Sequence, residues 1–169
     1  MNKIEVYTDG ACSGNPGKGG YAFVILYGEK EILKLSGCDE QTTNNRMELK
    51  AIVRSLQHVI SEFREMKDVL VVIHSDSAYC INPVDKGWIN FWSKNNWKTK
   101  SNEQIKNDDL WKQLYEILQT KKFKFEFVKV KGHSGIKYNE MVDKAAKSAI
   151  LRLNAKSFPS GGTAKSILQ

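Results

Sequence analysis

Cysteine is scarce in this chain. There are three, Cys12, Cys38 and Cys80, an odd number at wide spacing that makes neither a disulfide framework nor a zinc-ligand pattern. That excludes the small disulfide-stapled scaffolds and points to a reducing compartment, with the cytoplasm as the expected location. Long apolar runs are missing too. None reaches the length that crosses a membrane, so no membrane partner is expected. The opening MNKIEVYTDG lacks the apolar core of a leader, so the expectation is a chain without a signal peptide. Its fold should start at about Ile4, with no separate module ahead of it. No internal repeat and no second domain are visible.

Positive charge is what the sequence has in excess, with a net charge of +7 and a pI of about 9.2. Such a balance favours an anionic partner, nucleic acid first. A chain of 169 residues is normally one domain and buries roughly 70% of its unfolded surface, enough for a real core. A hydrophobic fraction of 41% and a charged fraction of 27% fit a globular protein.

Ile4, Val6 and Thr8 alternate with Glu5, Tyr7 and Asp9, which predicts a first strand closing on Asp9 before a glycine-rich turn. GYAFVILYG and EKEILKLSG read as a second and third strand, joined by short turns into an antiparallel meander. From Asn45 to about Phe63 apolar residues recur at helical spacing. DVLVVIH reads as a strand buried on both faces. A helical pattern covers Ser77–Asn82, is expected to break at Pro83, and resumes through Trp92. NDDLWKQLYEILQTK predicts a further helix with Asn107 or Asp108 as its N-cap. KFKFEFVKV alternates as a fifth strand, and NEMVDKAAKSAILRL closes the pattern as a helix. The order predicts an α/β fold, a mixed sheet with helices packed on it, over residues 1–153. Residues 154–169 are small, polar and rich in turn formers, and are expected to be a flexible tail.

Carboxylates fall at the ends of these elements. Asp9 closes the first strand, Asp76 follows the buried fourth strand, and Glu48 lies in the first turn of the first helix. Asp143 sits in the last helix, one turn after Asn139, so the two share a face. In α/β sheets sites form just beyond strand ends. Each acid has a plainer reading alone: Asp9 as a turn residue, Glu48 in a capping box with Asn45, Asp76 as a helix cap, Asp143 as a solvated acid. Together they form a set of oxygen ligands that is tolerable only with cations among them. Magnesium or manganese suits such ligands, and two ions about 3.5–4 Å apart suit in-line attack at phosphorus.

A second element stands out in GWINFWSKNNWKTK. Trp88 and Trp92 are one turn apart, Trp97 follows, and Lys86, Lys94, Lys98, Lys100 and Lys106 surround them against the single acid Glu103. Aromatics interleaved with lysines suit a nucleic-acid backbone and its sugars. The alternative is that the tryptophans are core anchors beneath a solvated lysine face.

The segments YTDGACSGNPGKGGYAF, TTNNRMELKAI, IHSDSAYC, VKGHSG and NEMVDKAAKSA together resemble ribonuclease H of type 1, in the family's order and spacing, from about Ile4 to Leu153. The resemblance implies the ribonuclease H-like fold: a five-stranded mixed sheet, an antiparallel three-strand meander plus two parallel strands, with helices on both faces. It implies hydrolysis of the RNA strand of an RNA·DNA hybrid to 5′-phosphate and 3′-hydroxyl ends, with two Mg2+ ions, or Mn2+ in their place. The family's catalytic carboxylates fall on Asp9, Glu48, Asp76 and Asp143, and its loop histidine on His133. Its minor-groove positions fall on Asn15, Asn44 and Asn45, and Cys12 and Asn139 are further candidates for substrate binding. Thr43 matches a position near a DNA phosphate, and the basic protrusion falls on Trp88, Trp92, Lys94, Trp97 and Lys98. Where the family commonly carries glutamine, this chain has Ala78. The protein is expected to act as a monomer. Its rivals are a non-catalytic hybrid binder and a related metal-dependent nuclease.

Overall fold

The computed structural model describes residues 1–131 and 136–155. Three strands, β1 (Asn2–Ser13), β2 (Gly17–Tyr27) and β3 (Lys30–Thr42), form the antiparallel meander. Then β4 (Val69–Ser75) pairs parallel with β1, and β5 (Phe123–Lys129) pairs parallel with β4, giving the sheet order β3-β2-β1-β4-β5. The helices are α1 (Asn44–Glu62), α2 (Ala78–Asp85), α3 (Trp88–Lys94), α4 (Asp108–Leu118) and α5 (Lys137–Ala155). This is the five-stranded mixed sheet expected. No helix among the described residues is long and apolar enough to cross a membrane.

Alternation along the strands sends side chains to two cores. Ile4, Val6, Phe23 and Ile25 face α1 and α4, where Leu49, Ile52, Leu56, Trp111 and Leu114 are buried against them. Ala22, Val24 and Leu26 face α5 and meet Val142 and Ala146. The second core is made of small residues, so α5 lies close to the sheet. A Cβ on Gly20 would run into the Ala146 carbonyl.

Three local expectations are corrected. β1 does not end on Asp9. Its pairing with β4 stops at Tyr7↔His74, but its pairing with β2 runs on to Ser13↔Lys18. Asp9 therefore sits inside a strand that has lost one neighbour, and its side chain stands where the sheet opens. Pro83 does not interrupt the helix it occupies. It lies in the last turns of α2, where it forfeits one backbone bond, and the break falls at Gly87, whose φ of +76° ends the run. Thr43, not Asn45, caps α1: it is extended, and its hydroxyl accepts from the Arg46 N–H at 3.2 Å. Asn44 and Asn45 are thereby left on the first turn with their side chains uncommitted to the cap.

Candidate active site

Gly10 decides how the carboxylates meet. A Cβ there would run into the backbone of Met47 and Glu48, so only glycine lets the first turn of α1 press against β1. The Gly10 N–H then donates to Asp9 Oδ1 at 2.9 Å and to Glu48 Oε1 at 2.8 Å. One backbone donor thus holds two carboxylates from opposite ends of the contact. Asp76 arrives from the end of β4, and oxygen atoms of Asp9, Glu48 and Asp76 all lie within 4.8 Å of one another.

Such a cluster is electrostatically unfavourable when it is ionised and without cations. Burial raises the Asp9 carboxyl to about 6; the hydrogen bond with Glu48 opposes this, while Asp76 and, last, Asp143 push it further up. Burial and then Asp9 hold Glu48 well above the usual carboxylate range. Glu48 Oε2 is buried with no hydrogen-bond partner among the described residues. An orphaned acceptor costs about 1–3 kcal/mol, and here it faces a cluster whose chemistry is all oxygen. The residues present therefore fit a hard divalent cation.

The cluster floors an open cavity of about 590 Å³. Cys12, Asn44, Asn45, Asn139 and Asp143 line its walls, with Tyr79, Lys131 and Lys147. Asp143 stands outside the close trio and pairs with Lys147, one turn on, at 3.1 Å. Asn15 is held beside the cavity, its Oδ1 accepting from the Asn44 N–H at 3.1 Å.

A model of the family described as RNase H matches residues 1–151. The chain belongs to the RNase H family. It is 47% identical to the ribonuclease H of Caldicellulosiruptor saccharolyticus, over 89% of this chain and 97% of that one. It is 44% identical to that of Syntrophomonas wolfei, over 90% and 99%. Among solved structures it resembles LC9-RNase H1, a type 1 RNase H with the type 2 active-site motif, with a TM-score of 0.71 and 25% identity over 89% of this chain and 72% of that one. The fold of LC11-RNase H1, solved in complex with an RNA/DNA hybrid, matches with a TM-score of 0.66 at 22% identity, over 87% of this chain and 99% of that one. As an RNase H the protein is a nuclease and a hydrolase.

The remaining predicted residues of this RNase H lie elsewhere. His133 is outside the described residues. The protrusion spans α3 and the loop to α4, and Trp88, Trp92, Lys94, Trp97 and Lys98 are not part of the cavity wall. Its tryptophans divide. Trp88 is 44% exposed, with the Lys86 ammonium 5.4 Å above its ring. Trp92 is half-buried and meets Trp111 edge-on at 5.4 Å, and Trp97 meets Tyr115 at 5.8 Å. Trp92 and Trp97 thus anchor the protrusion, whereas Trp88 presents a free face.

Sequence reasoning missed several neighbours. Phe91 is 41% exposed under Lys100 at 5.9 Å, a second aromatic platform hidden between two tryptophans. Lys147 was readable from its four-residue spacing to Asp143. Arg46 grips Asp109 with two bonds of 2.9 and 2.7 Å and reaches Asn107 at 3.3 Å. Asn107 and the Trp111 indole both donate to the Tyr79 hydroxyl, at 2.9 and 3.2 Å. That network ties the first turn of α1 to α4 and to the cavity wall, and nothing in local sequence signals it.

Proposed function

We propose that this chain is an endonuclease that hydrolyses the RNA strand of RNA·DNA hybrids. The observation that carries the reading is the close trio of Asp9, Glu48 and Asp76, with Glu48 buried and Asp76 exposed, at the floor of an open cavity walled by short polar side chains. In the reaction water adds to phosphorus and the bond to the 3′ oxygen breaks; the products are a 5′-phosphate and a 3′-hydroxyl. Two Mg2+ ions, or Mn2+ in their place, held by Asp9, Glu48, Asp76 and Asp143, would supply charge neutralisation and Lewis acidity at the scissile phosphodiester.

The chain's own groups position the strand. Asn44 and Asn45, freed by the Thr43 cap, and Asn15 and Cys12 beside them offer donors and acceptors at the height of a shallow minor groove, where the 2′-hydroxyl distinguishes RNA. Asn139 closes the opposite wall. Lys147 balances the charge of Asp143 at 3.1 Å. Thr43 and the protrusion, with Trp88, Lys94 and Lys98, take the DNA strand through phosphate and sugar contacts. His133 serves proton traffic or product departure. The catalytic unit is residues 1–153, working as a monomer in the cytoplasm.

The test uses end-labelled RNA·DNA hybrid, duplex DNA and duplex RNA, each with magnesium and with chelator. Only the hybrid should be cut, only with metal, and the RNA fragments should carry 5′-phosphates. Equal cutting of duplex DNA points to a structure-specific nuclease. Tight hybrid binding without any cutting points to a binding protein.

A further inference from the structure

A second cavity, of about 350 Å³, lies on the far side of α1 from the carboxylates. α1 packs over β1 and β2, while α5 reaches β3 only from the opposite face. The α1 side of the outer strands is therefore left as a groove. Lys50, Arg54 and His58 follow one another at single-turn spacing along its helical wall, and Tyr21, Phe23 and Leu35 make its floor. Asn44, Asn45 and Glu48 belong to the other side of the same helix, so the two cavities are separate.

The charges in this groove do not cancel. Its one carboxylate, Asp39, is taken by Lys50 at 2.7 Å. Among the described residues Arg54 has only neutral partners in its hydrogen bonds, the side-chain oxygens of Gln57 at 3.1 Å and Gln113 at 3.0 Å. A guanidinium held by two amides keeps its full charge and its fork geometry for an anion. The Tyr21 ring lies across Gly37, where a Cβ would come within 2.5–2.7 Å of it, and Lys50 covers its face at 5.6 Å. Burial raises the Tyr21 phenol, with Arg54 opposing, so the hydroxyl stays a neutral donor beside the guanidinium. At the other end the exposed His58 ring rests on Phe23, 5.6 Å between centroids. The two rings are tilted by 38°, and the exposed imidazole stands beside the apolar lining of Phe23 and Leu35.

We propose that this groove is a second ligand site, taking a nucleoside monophosphate: its phosphate on Arg54, Lys50 and the Tyr21 hydroxyl, its base on His58. A bare phosphate fills only the cationic end. The aromatic and apolar remainder matches a flat heterocycle, and the volume lies in the range of about 300–1,000 Å³ common for small-ligand sites. The proposal stands apart from the nuclease reading, because no residue of the carboxylate cavity takes part.

The test is NMR titration of the full chain with chelator present, using AMP, inorganic phosphate and adenosine as separate probes. AMP should give saturable shifts at Gly37–Asp39 and Arg54–His58, and should bind at least about tenfold more tightly than phosphate or adenosine, the factor one charge-assisted hydrogen bond supplies. Arg54→Gln should weaken AMP by about tenfold with the amide spectrum otherwise unchanged, and Arg54→Lys should restore part of it. His58→Ala should bring AMP down to the level of phosphate. Hybrid cleavage by these variants should match wild type. Shifts confined to the residues around Asp9, equal affinity for AMP and phosphate, or an Arg54→Gln protein that binds AMP normally would each overturn the proposal. None of these outcomes depends on whether the enzyme cuts hybrids.

Discussion

The ring of Tyr7 lies flat on the imidazole of His74, 4.2 Å between centroids and 5° between planes. These two residues form the last parallel pair of β1 and β4. Two residues further along each chain come Asp9 and Asp76, so the stack is the layer directly beneath the carboxylates. Glu5 holds His74 at 3.2 Å. Tyr138, in the first turn of α5, leans on Tyr7 at 5.4 Å, which seats the helix carrying Asn139 and Asp143.

The stack should therefore set metal dependence as well as stability. Tyr7→Ala is expected to destabilise by about 1–3 kcal/mol and to raise the magnesium concentration for half-maximal cleavage several-fold. Tyr7→Phe keeps the ring and should keep the metal response. A Tyr7→Ala protein with reduced melting temperature but an unchanged metal titration would leave the stack a purely structural feature.

Asp9→Asn should lower cleavage by a factor of about a thousand or more while leaving hybrid binding intact. The same change should stabilise the metal-free protein at neutral pH. In the fold Asp9 holds its proton to about pH 6 against the usual 3.8. Between those values the folded state binds more protons than the unfolded chain, so this group's contribution to stability falls as pH rises through that window. Removing it should return on the order of 1–3 kcal/mol above pH 6, a rise of several degrees in Tm. Calorimetry with chelator at pH 4.5 and pH 7.5 checks this: the gain should appear at the higher pH and shrink at the lower.

Changing Lys94 and Lys98 to Ala should weaken hybrid binding at low salt and flatten the salt slope by roughly one unit for each phosphate left without its lysine. The loss should sit in KM. Trp88→Ala should weaken binding with little change in slope or in Tm, because that ring is largely exposed. Trp92→Ala should cost about 1–3 kcal/mol of stability, because the half-buried ring packs on the buried Trp111. Salt-dependent binding curves beside thermal melts separate the two tryptophans; equal effects on Tm would contradict the division.

His133→Ala should slow turnover without abolishing it, and should alter the pH profile of kcat between pH 5 and 8. Single-turnover and steady-state rates measured together would show whether the cleavage step or product release is affected. An unchanged rate and profile would leave His133 without a part in the reaction.

What the sequence made legible follows from range. Apolar periodicity is local, so the helix over Asn44–Glu62, the buried strand at Val69–Ser75 and the amphipathic α4 were all readable. The second half of β1 was not: Gly10, Ala11, Cys12 and Ser13 have little strand preference and are extended because β2 pairs with them. The polar end of β3, Asp39–Thr42, is a strand for the same reason. The convergence of Asp9, Glu48 and Asp76 was foreseeable from their positions at element ends. The shared Gly10 N–H and the orphaned Glu48 oxygen were not, because both depend on how closely α1 approaches β1. The burial of Trp92 rests on Trp111, nineteen positions away, and no local pattern reveals it.

The order in which these parts leave the ribosome has a consequence for the newborn chain. Asp9 emerges first, within a meander whose pairings are local, and Glu48 follows on the next element. Asp76 requires β4 to insert beside β1, and Asp143 requires α5 to settle on the other face against Ala22 and Val24. The last carboxylate thus arrives with the last helix, and that helix covers the second core as it docks. A nascent chain that has made its first three strands and α1 carries half of the acidic set and an uncovered apolar face. Until α5 docks, Ala22, Val24 and Leu26 stay uncovered, the kind of transiently exposed apolar surface that makes a partly folded chain prone to aggregate.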